Sequence, residues 1–509
     1  VLLCSGFALY SFFRLSAAEG QKDFNLYELV PSTTSAVFVT DDVLEFVAEV
    51  DELTCSKNQQ YLYVSKLFSY LKQSLYALSE DTPHGLSRQM NQMLISFHEP
   101  DNERNQVLYC RLGNGDKELV NRFVRKYISS LYPPKTFIYK GEEIIIYPMA
   151  DGDFLACYLT SDFMALSFQK KLIENVIDAY KSGKSLADDS TFTGIRAPKK
   201  SAAAATIYTR MQGMMGWTEF DMKMKDDFIY FSGITHDADT CFAFINQLRQ
   251  QQSVKGFPGE VLPSTAFYFS RQGITDWVSL LSYGNAQGQS VPARTSEVQN
   301  RDKEFSRYLM ENAGQDLVAC LFQREDTLQG AAAVLSLSVA DVTEAERMLR
   351  ALVNAASADE GRRNPRITFC YTVNKAYPIY RLPQTTLFEQ LTSFAEPTLD
   401  VYAAFYGGRL LLAPDADALA HYIRQLDKGE VLNGAMVYQT GMDHLSDSYH
   451  FMLMADFDHI FQQSENHVRF VPDFFLRNAD FFRHFTLFVQ FACADGVVYP
   501  NIVLKYKSE

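Results

Sequence analysis

The sequence predicts an α+β protein of two tandem homologous domains, each a mainly antiparallel sheet with helices packed on one face. Three observations predict it. Residues 154–186 and 400–432 align without a gap, and each reads apolar run, polar turn, apolar run, amphipathic helix. An opening phrase recurs, with LVPSTTSAVFV at 29–39 answered by VLPSTAFYF at 261–269. Between these landmarks both halves repeat strand, strand, helix, strand in the same order. Only four of the 33 positions in the first match are identical, so the likeness is one of pattern, and it speaks to architecture before chemistry.

The elements follow in order. Pro31-Ser32-Thr33 turns the chain into a strand over 35–40. Asp41 or Asp42 then caps a helix with Val43, Phe46, Val47 and Val50 on one face. In the second half Ile274, Trp277, Val278 and Leu281 supply the equivalent stripe. Helical regions follow at 60–79 and 297–312, then strands at 92–97 and 106–112, matched by 316–322 and 330–337. Leu119, Val120, Phe123 and Val124 mark the next helix, matched by Met348, Leu349, Leu352 and Val353. A strand at 143–147 has its counterpart at 376–380. In the central motif Leu172, Ile173, Val176, Ile177 and Tyr180 form one helical stripe, and Ala418, Leu419, Tyr422, Ile423 and Leu426 form the other. Both helices end at a glycine, Gly183 or Gly429, suited to a left-handed cap. A strand at 204–210 and a strand pair over 220–233 close the first half; 449–455, 485–493 and 497–506 close the second, with turns at Asp226-Asp227 and Asp495-Gly496. The domain limits are 19–257 and 258–509.

At 509 residues the chain is too long for one core. Hydrophobic residues at 47% and aromatics at 14% supply packed cores rather than disorder. A net charge of −14 repels polyanions, and the basic runs at Lys199-Lys200 and Arg362-Arg363 are short, so nucleic acid is not an expected partner. Eight cysteines lack a CxxC spacing and mostly sit inside apolar strands, which points to buried free thiols.

Two segments lack counterparts. One is a helix near 239–252. The other is an insertion at 464–484, where Phe470, Phe474, Phe475, Phe481 and Phe482 interleave with Arg469, Arg477 and Arg483. The insertion reads either as a helix covering one end of the second sheet with its rings buried, or as an aromatic-basic partner-binding surface formed by Phe470, Phe474, Phe475, Arg477, Phe481 and Phe482.

Residues 1–18 begin VLLCSGFALYSFF, apolar and uncharged, followed by Arg14 and small residues. Joined to a preceding segment they would form a signal anchor; Ser16 and Ala18 equally suit signal-peptidase cleavage. Catalytic signatures do not emerge: there is no GxGxxG, GxxxxGK[ST], HExxH or GxSxG. His236-Asp237-Ala238-Asp239 reads as a helix cap, and Asp443, His444, Asp447 and His450 as a turn and strand start. Asp415 and Asp417 read as first-turn acids of a helix beginning at Pro414. No cofactor or metal is expected.

The apolar N-terminal segment, the LVPSTTSAVFV opening, the strand-strand-helix units and the duplicated layout resemble an uncharacterised family of bacterial envelope proteins, commonest in the Bacteroidetes and known as a domain of unknown function. That resemblance carries no catalytic residues and implies an envelope location facing the periplasm. The expectation is a non-enzymatic, membrane-tethered or secreted periplasmic protein binding an envelope protein or ligand. A carrier of lipid or another hydrophobic ligand is the alternative, and a hydrolase assembled from distant residues a third.

Overall fold

The computed structural model describes residues 24–58, 92–99, 102, 104–113, 116–124, 132–149, 152–196, 203–210, 216–235, 243–278, 280–281, 295–324, 330–359, 367–373, 375–392, 400–463 and 471–507. The apolar segment 1–18, the helix expected at 60–79, the His236–Asp239 cluster, Arg469 and Phe470 lie outside these residues. The chain divides into two units, Val1–Glu52 with Tyr63–Lys223, and Leu53–Leu62 with Met224–Glu509.

In the first unit the strands are β1 (Ala36–Thr40), β2 (Met93–Phe97), β3 (Gln106–Arg111), β4 (Lys135–Tyr139), β5 (Glu142–Pro148), β6 (Phe154–Leu159), β7 (Phe163–Ser167), β8 (Ala205–Thr209) and β9 (Thr218–Lys225). They pair antiparallel in the order β9–β8–β1–β2–β3–β7–β6–β5–β4. Side chains alternate between the faces of a strand, yet Met93 through Ser96 and Val107 through Cys110 are all buried. On one face Leu94, Val107 and Tyr109 meet Leu172, Ile173, Val176 and Ile177 of helix α3 (Lys170–Ser182). On the other, Met93, Ile95, Leu108 and Cys110 meet Val43 and Val47 of α1 (Val43–Glu52), and Val120 of α2 (Asp116–Phe123). Helices therefore cover both faces, which corrects the expectation of a one-sided layer. The signal was present: MLISF and VLYC are continuous apolar runs, the mark of strands buried on both sides. Asp42 is the residue that caps α1, accepting from Leu44 and Glu45 N–H at 3.1 and 3.0 Å.

The second unit contains β10 (Phe228–Thr235), β11 (Val254–Lys255), β12 (Ala266–Gly273), β13 (Ala313–Gln323), β14 (Ala331–Val339), β15 (Ile367–Tyr371), β16 (Ala376–Pro383), β17 (Asp400–Tyr406), β18 (Arg409–Ala413), β19 (Ser448–Tyr449), β20 (Phe451–Asp456), β21 (Phe485–Ala494) and β22 (Val497–Tyr506). β11 and β19 form a separate ribbon. The others pair antiparallel as β10–β22–β21–β20–β12–β13–β14–β18–β17–β16–β15. Both faces are again covered. Phe305 and Leu309 of α4 (Ser296–Asn312) join Leu349 and Val353 of α5 (Val342–Asp359) in one core. Leu419, Tyr422 and Ile423 of α6 (Ala416–Asp427) join Tyr438 and Met442 of α7 (Met436–Met442) in the other. In the stripe expected at 274–281, Val278 points outward and Leu280 is buried in its place.

Matched from β1 and β12 onward, the two sheets have one strand order, with β20 and β21 standing where β8 and β9 stand. The tie points match as well. Isolated bridges join Pro31 to Ser185 and Pro263 to Val431. Leu186 N–H donates to the Val30 carbonyl at 2.8 Å, and Leu432 N–H to that of Leu262 at 2.9 Å. Gly183 and Gly429 both hold positive φ, 62° and 75°. Edge strand β4 was not anticipated, because it shows no buried periodicity; β15 was read as an apolar strand-like run around Cys370 but was not placed in the strand order.

Gly441, in α7, tests the packing of the second unit. A Cβ built there would lie 2.2 Å from the Phe488 ring, and Phe488 is itself fully buried. Gly441→Ala is expected to lower stability by about 1–3 kcal/mol in urea denaturation. Gly434→Ala, which meets nothing within 4 Å, should leave the midpoint within experimental error.

Candidate functional site

The aromatic insertion is described from Val471 onward. Two short helices, Asp473–Arg477 and Ala479–Phe482, fold its rings inward. Phe475 lies 4.9 Å from Phe457 and 4.8 Å from Phe482, centroid to centroid, and Phe481 lies 4.8 Å from Phe485. Phe482 is 2% exposed, while Phe474, Phe475 and Phe481 are half-buried against the core that includes Phe457, Phe485 and Tyr506. Asn478 Nδ2 donates to the Phe474 carbonyl at 2.8 Å and closes the turn between the helices. Arg477 stands at the surface. The arrangement gathers Phe474, Phe475, Phe481 and Phe482 into one cluster whose inner side seals the sheet.

The acidic and histidine residues singled out from the sequence do not converge. His444 packs beside Tyr230, whose hydroxyl is 3.2 Å from His444 Nε2. His450 Nδ1 accepts from Cys493 N–H at 3.1 Å, and Asp447 Oδ1 accepts from Gly256 N–H at 3.1 Å. Asp415 caps α6 through Ala418 N–H at 2.7 Å and pairs with Arg324 at 2.7 Å. Among the described residues no three His, Cys, Asp or Glu side chains are grouped as metal ligands.

Two polar clusters were missed, one in each unit. In the first, Ser96 Oγ lies 2.9 Å from His98 Nε2 and 3.1 Å from the Tyr109 hydroxyl. The strand brings them together because positions i and i+2 share a face. Burial pushes the His98 pKa down to about 4 and raises that of Tyr109, so both are neutral near pH 7. A serine beside a neutral imidazole is the beginning of a nucleophile–base pair. Here Ser96 is 0% exposed, and an acyl donor has no path to its oxygen.

In the second unit Asp316 receives Arg271 Nε at 3.0 Å and Arg409 Nη1 at 3.3 Å. Arg409 Nε also donates to Ser336 Oγ at 2.6 Å, and Arg271 Nη1 to the Gly256 carbonyl at 2.9 Å. Burial raises the Asp316 pKa, but Arg409, Ser338 and Arg271 outweigh it and hold the carboxyl below its ordinary value. Arg271 thereby fastens the residues beside β11 to β12. In the matched strands of the first unit, Arg271, Ser336 and Arg409 correspond to Val39, Tyr109 and Phe163. Charged residues inside the apolar runs AFYFSRQG and GRLLLA were the available signal.

No known protein family, curated protein or solved structure matches the chain.

Asp316 is 5% exposed, so removing it strands two guanidinium groups. Asp316→Ala is expected to cost about 3–5 kcal/mol in urea denaturation, whereas Arg271→Met/Asp316→Leu/Arg409→Met together should recover most of that loss. A second ion pair is read by pH. His459 sits 3.3 Å from Asp456, which raises its pKa against the opposing effect of burial. A raised folded pKa stabilises below the unfolded value of about 6.5 and loses that contribution as pH rises through the folded value. Melting temperatures from pH 5 to 9 should therefore show a component that falls through this range and vanishes in His459→Gln.

Proposed function

We propose that this chain is a non-catalytic binding protein of the bacterial envelope, tethered or exported through residues 1–18 and facing the periplasm. Its two units are read as descendants of one duplicated α+β domain. The shared strand order, the paired bridges at Pro31 and Pro263 and the positive-φ glycines after α3 and α6 support that descent. The resemblance to the Bacteroidetes envelope family supports the location, as does the apolar character of residues 1–13.

The observation that carries the binding reading is the use to which the reactive groups are put. Ser96 is buried and bonded to Tyr109 and His98, and Asp316 with its two arginines fastens strands and the β11 ribbon together. What faces solvent instead is apolar strand surface, at Ile138 of β4 and Phe369 and Tyr371 of β15. An exposed apolar surface framed by a rigid sheet serves recognition better than chemistry.

Fractionation of bacteria expressing the full chain tests the location. Recovery in the membrane or periplasmic fraction is expected, with protease cleavage only after the outer membrane is opened; a soluble cytoplasmic pool would overturn it. Turnover of a panel of ester, amide and phosphate substrates tests the chemistry. Wild type and Ser96→Ala should be indistinguishable, and an activity that disappears in folded Ser96→Ala would make the protein a hydrolase.

A further inference from the structure

Among the described residues the outer edge of β15 carries no partner strand: β15 pairs only with β16, in an unbroken register from Ile367–Tyr380 to Tyr371–Ala376. The direction of its backbone groups follows from that register. Thr372 N–H donates to the Lys375 carbonyl at 2.9 Å, so Thr372, Cys370 and Thr368 turn their polar groups toward β16. Phe369 lies opposite Pro378, which has no N–H to give. The N–H and C=O groups of Ile367, Phe369 and Tyr371 thus point away from the sheet.

The side chains on this edge are exposed and apolar. Ile367, Phe369, Tyr371 and Val373 share one side at 39%, 49%, 72% and 95% exposure. Residues 367–373, ITFCYTV, carry no charge. The matched edge of the first unit is treated differently. β4 begins at Lys135 and is followed by Lys140, and the Lys170 ammonium lies 5.2 Å from the Phe137 ring centroid. Lysine on an edge strand is a common guard against pairing with another chain. β15 has basic residues only at its flanks, Arg366 before it and Lys375 in the turn after it, and within the strand it has no charge, bulge or proline.

We propose that β15 is a self-association edge, on which a second copy of this chain adds its own β15 antiparallel about Phe369. In that pairing Phe369 meets its own counterpart and Ile367 meets Tyr371, so the exposed apolar side chains within β15 face one another and no charges are opposed along the strand. The opposite edge of the same sheet favours a copy over an unrelated strand. There β22, which follows a turn at Asp495-Gly496, is covered antiparallel by β10, which follows a turn at Asp226-Asp227. The fold already covers one edge with a strand in its own matched position. This last argument rests on the duplication proposed above; the uncharged edge, without a partner strand among the described residues, does not.

Sedimentation velocity of the full chain over a range of concentrations tests it. Wild type and Ile138→Lys should show the same reversible dimer. Phe369→Lys sets two ammonium groups against each other at the twofold axis and should weaken the dimer by about 100-fold, with an unchanged melting temperature because the side chain is exposed. Ile367→Lys with Tyr371→Glu should dimerise, since each lysine faces the partner's glutamate, while Ile367→Lys with Tyr371→Lys should not. A chain that stays monomeric to about 100 µM, or a dimer indifferent to Phe369→Lys, overturns the proposal. So does a monomer that binds lipid vesicles or a foreign peptide through β15.

Discussion

Strands β2, β3, β13 and β14 have no solvent face, and the rest of the structure answers to that constraint. A strand buried on both sides needs apolar cover above and below, so each sheet sits between two helical layers. It also leaves no water for a stray polar side chain, so any polar residue in these strands must find its partner within the protein. Ser96 finds His98 and Tyr109, and Asp316 finds Arg271 and Arg409.

Much of the layout was legible in the chain. Helices α3 and α6, their glycine ends and the strand pairs before them could be placed because each combines a strong period with a distinct stop. The side on which the helices lie was read wrongly, since the amphipathic faces were weighed more than the continuous runs MLISF and LVACLF. β4 escaped because an exposed edge strand satisfies no burial pattern and KTFIY looks like turn-flanking sequence, while ITFCY was legible as an apolar strand-like run but not as a paired edge. The polar clusters escaped for another reason. Ser96 and Tyr109 come from neighbouring strands, and Arg271, Asp316 and Arg409 from three, so their meeting depends on register. The aromatic segment after Val471 was legible as a feature, and the structure packs its described phenylalanines against Phe457 and Phe485.

Matched strands with unmatched polar residues also say how the two units differ. Where one sheet carries Val39, Tyr109 and Phe163, the other carries Arg271, Ser336 and Arg409. Exchanging an apolar core position for a buried ion pair seldom adds stability. In the second unit it ties down the residues beside β11, giving that sheet an attachment that the first unit does not have at these positions.

The second unit is also discontinuous in sequence. Leu53 and Cys55 lie in its core, Asn58 Nδ2 donates to the Tyr506 hydroxyl at 3.2 Å across 448 positions, and β10 pairs with β22. During synthesis the segment around Leu53 leaves the ribosome hundreds of residues before the strands it must join. The first unit has all its strands in hand much earlier. Closing so long a loop is entropically slow, so Leu53 and Cys55 reach their core, and Asn58 its hydrogen bond to Tyr506, only after β22 is made. A fragment beginning at residue 258 would lack both this stretch and β10. It would bare the β22 edge, and its aggregation would report a missing strand rather than an unstable domain.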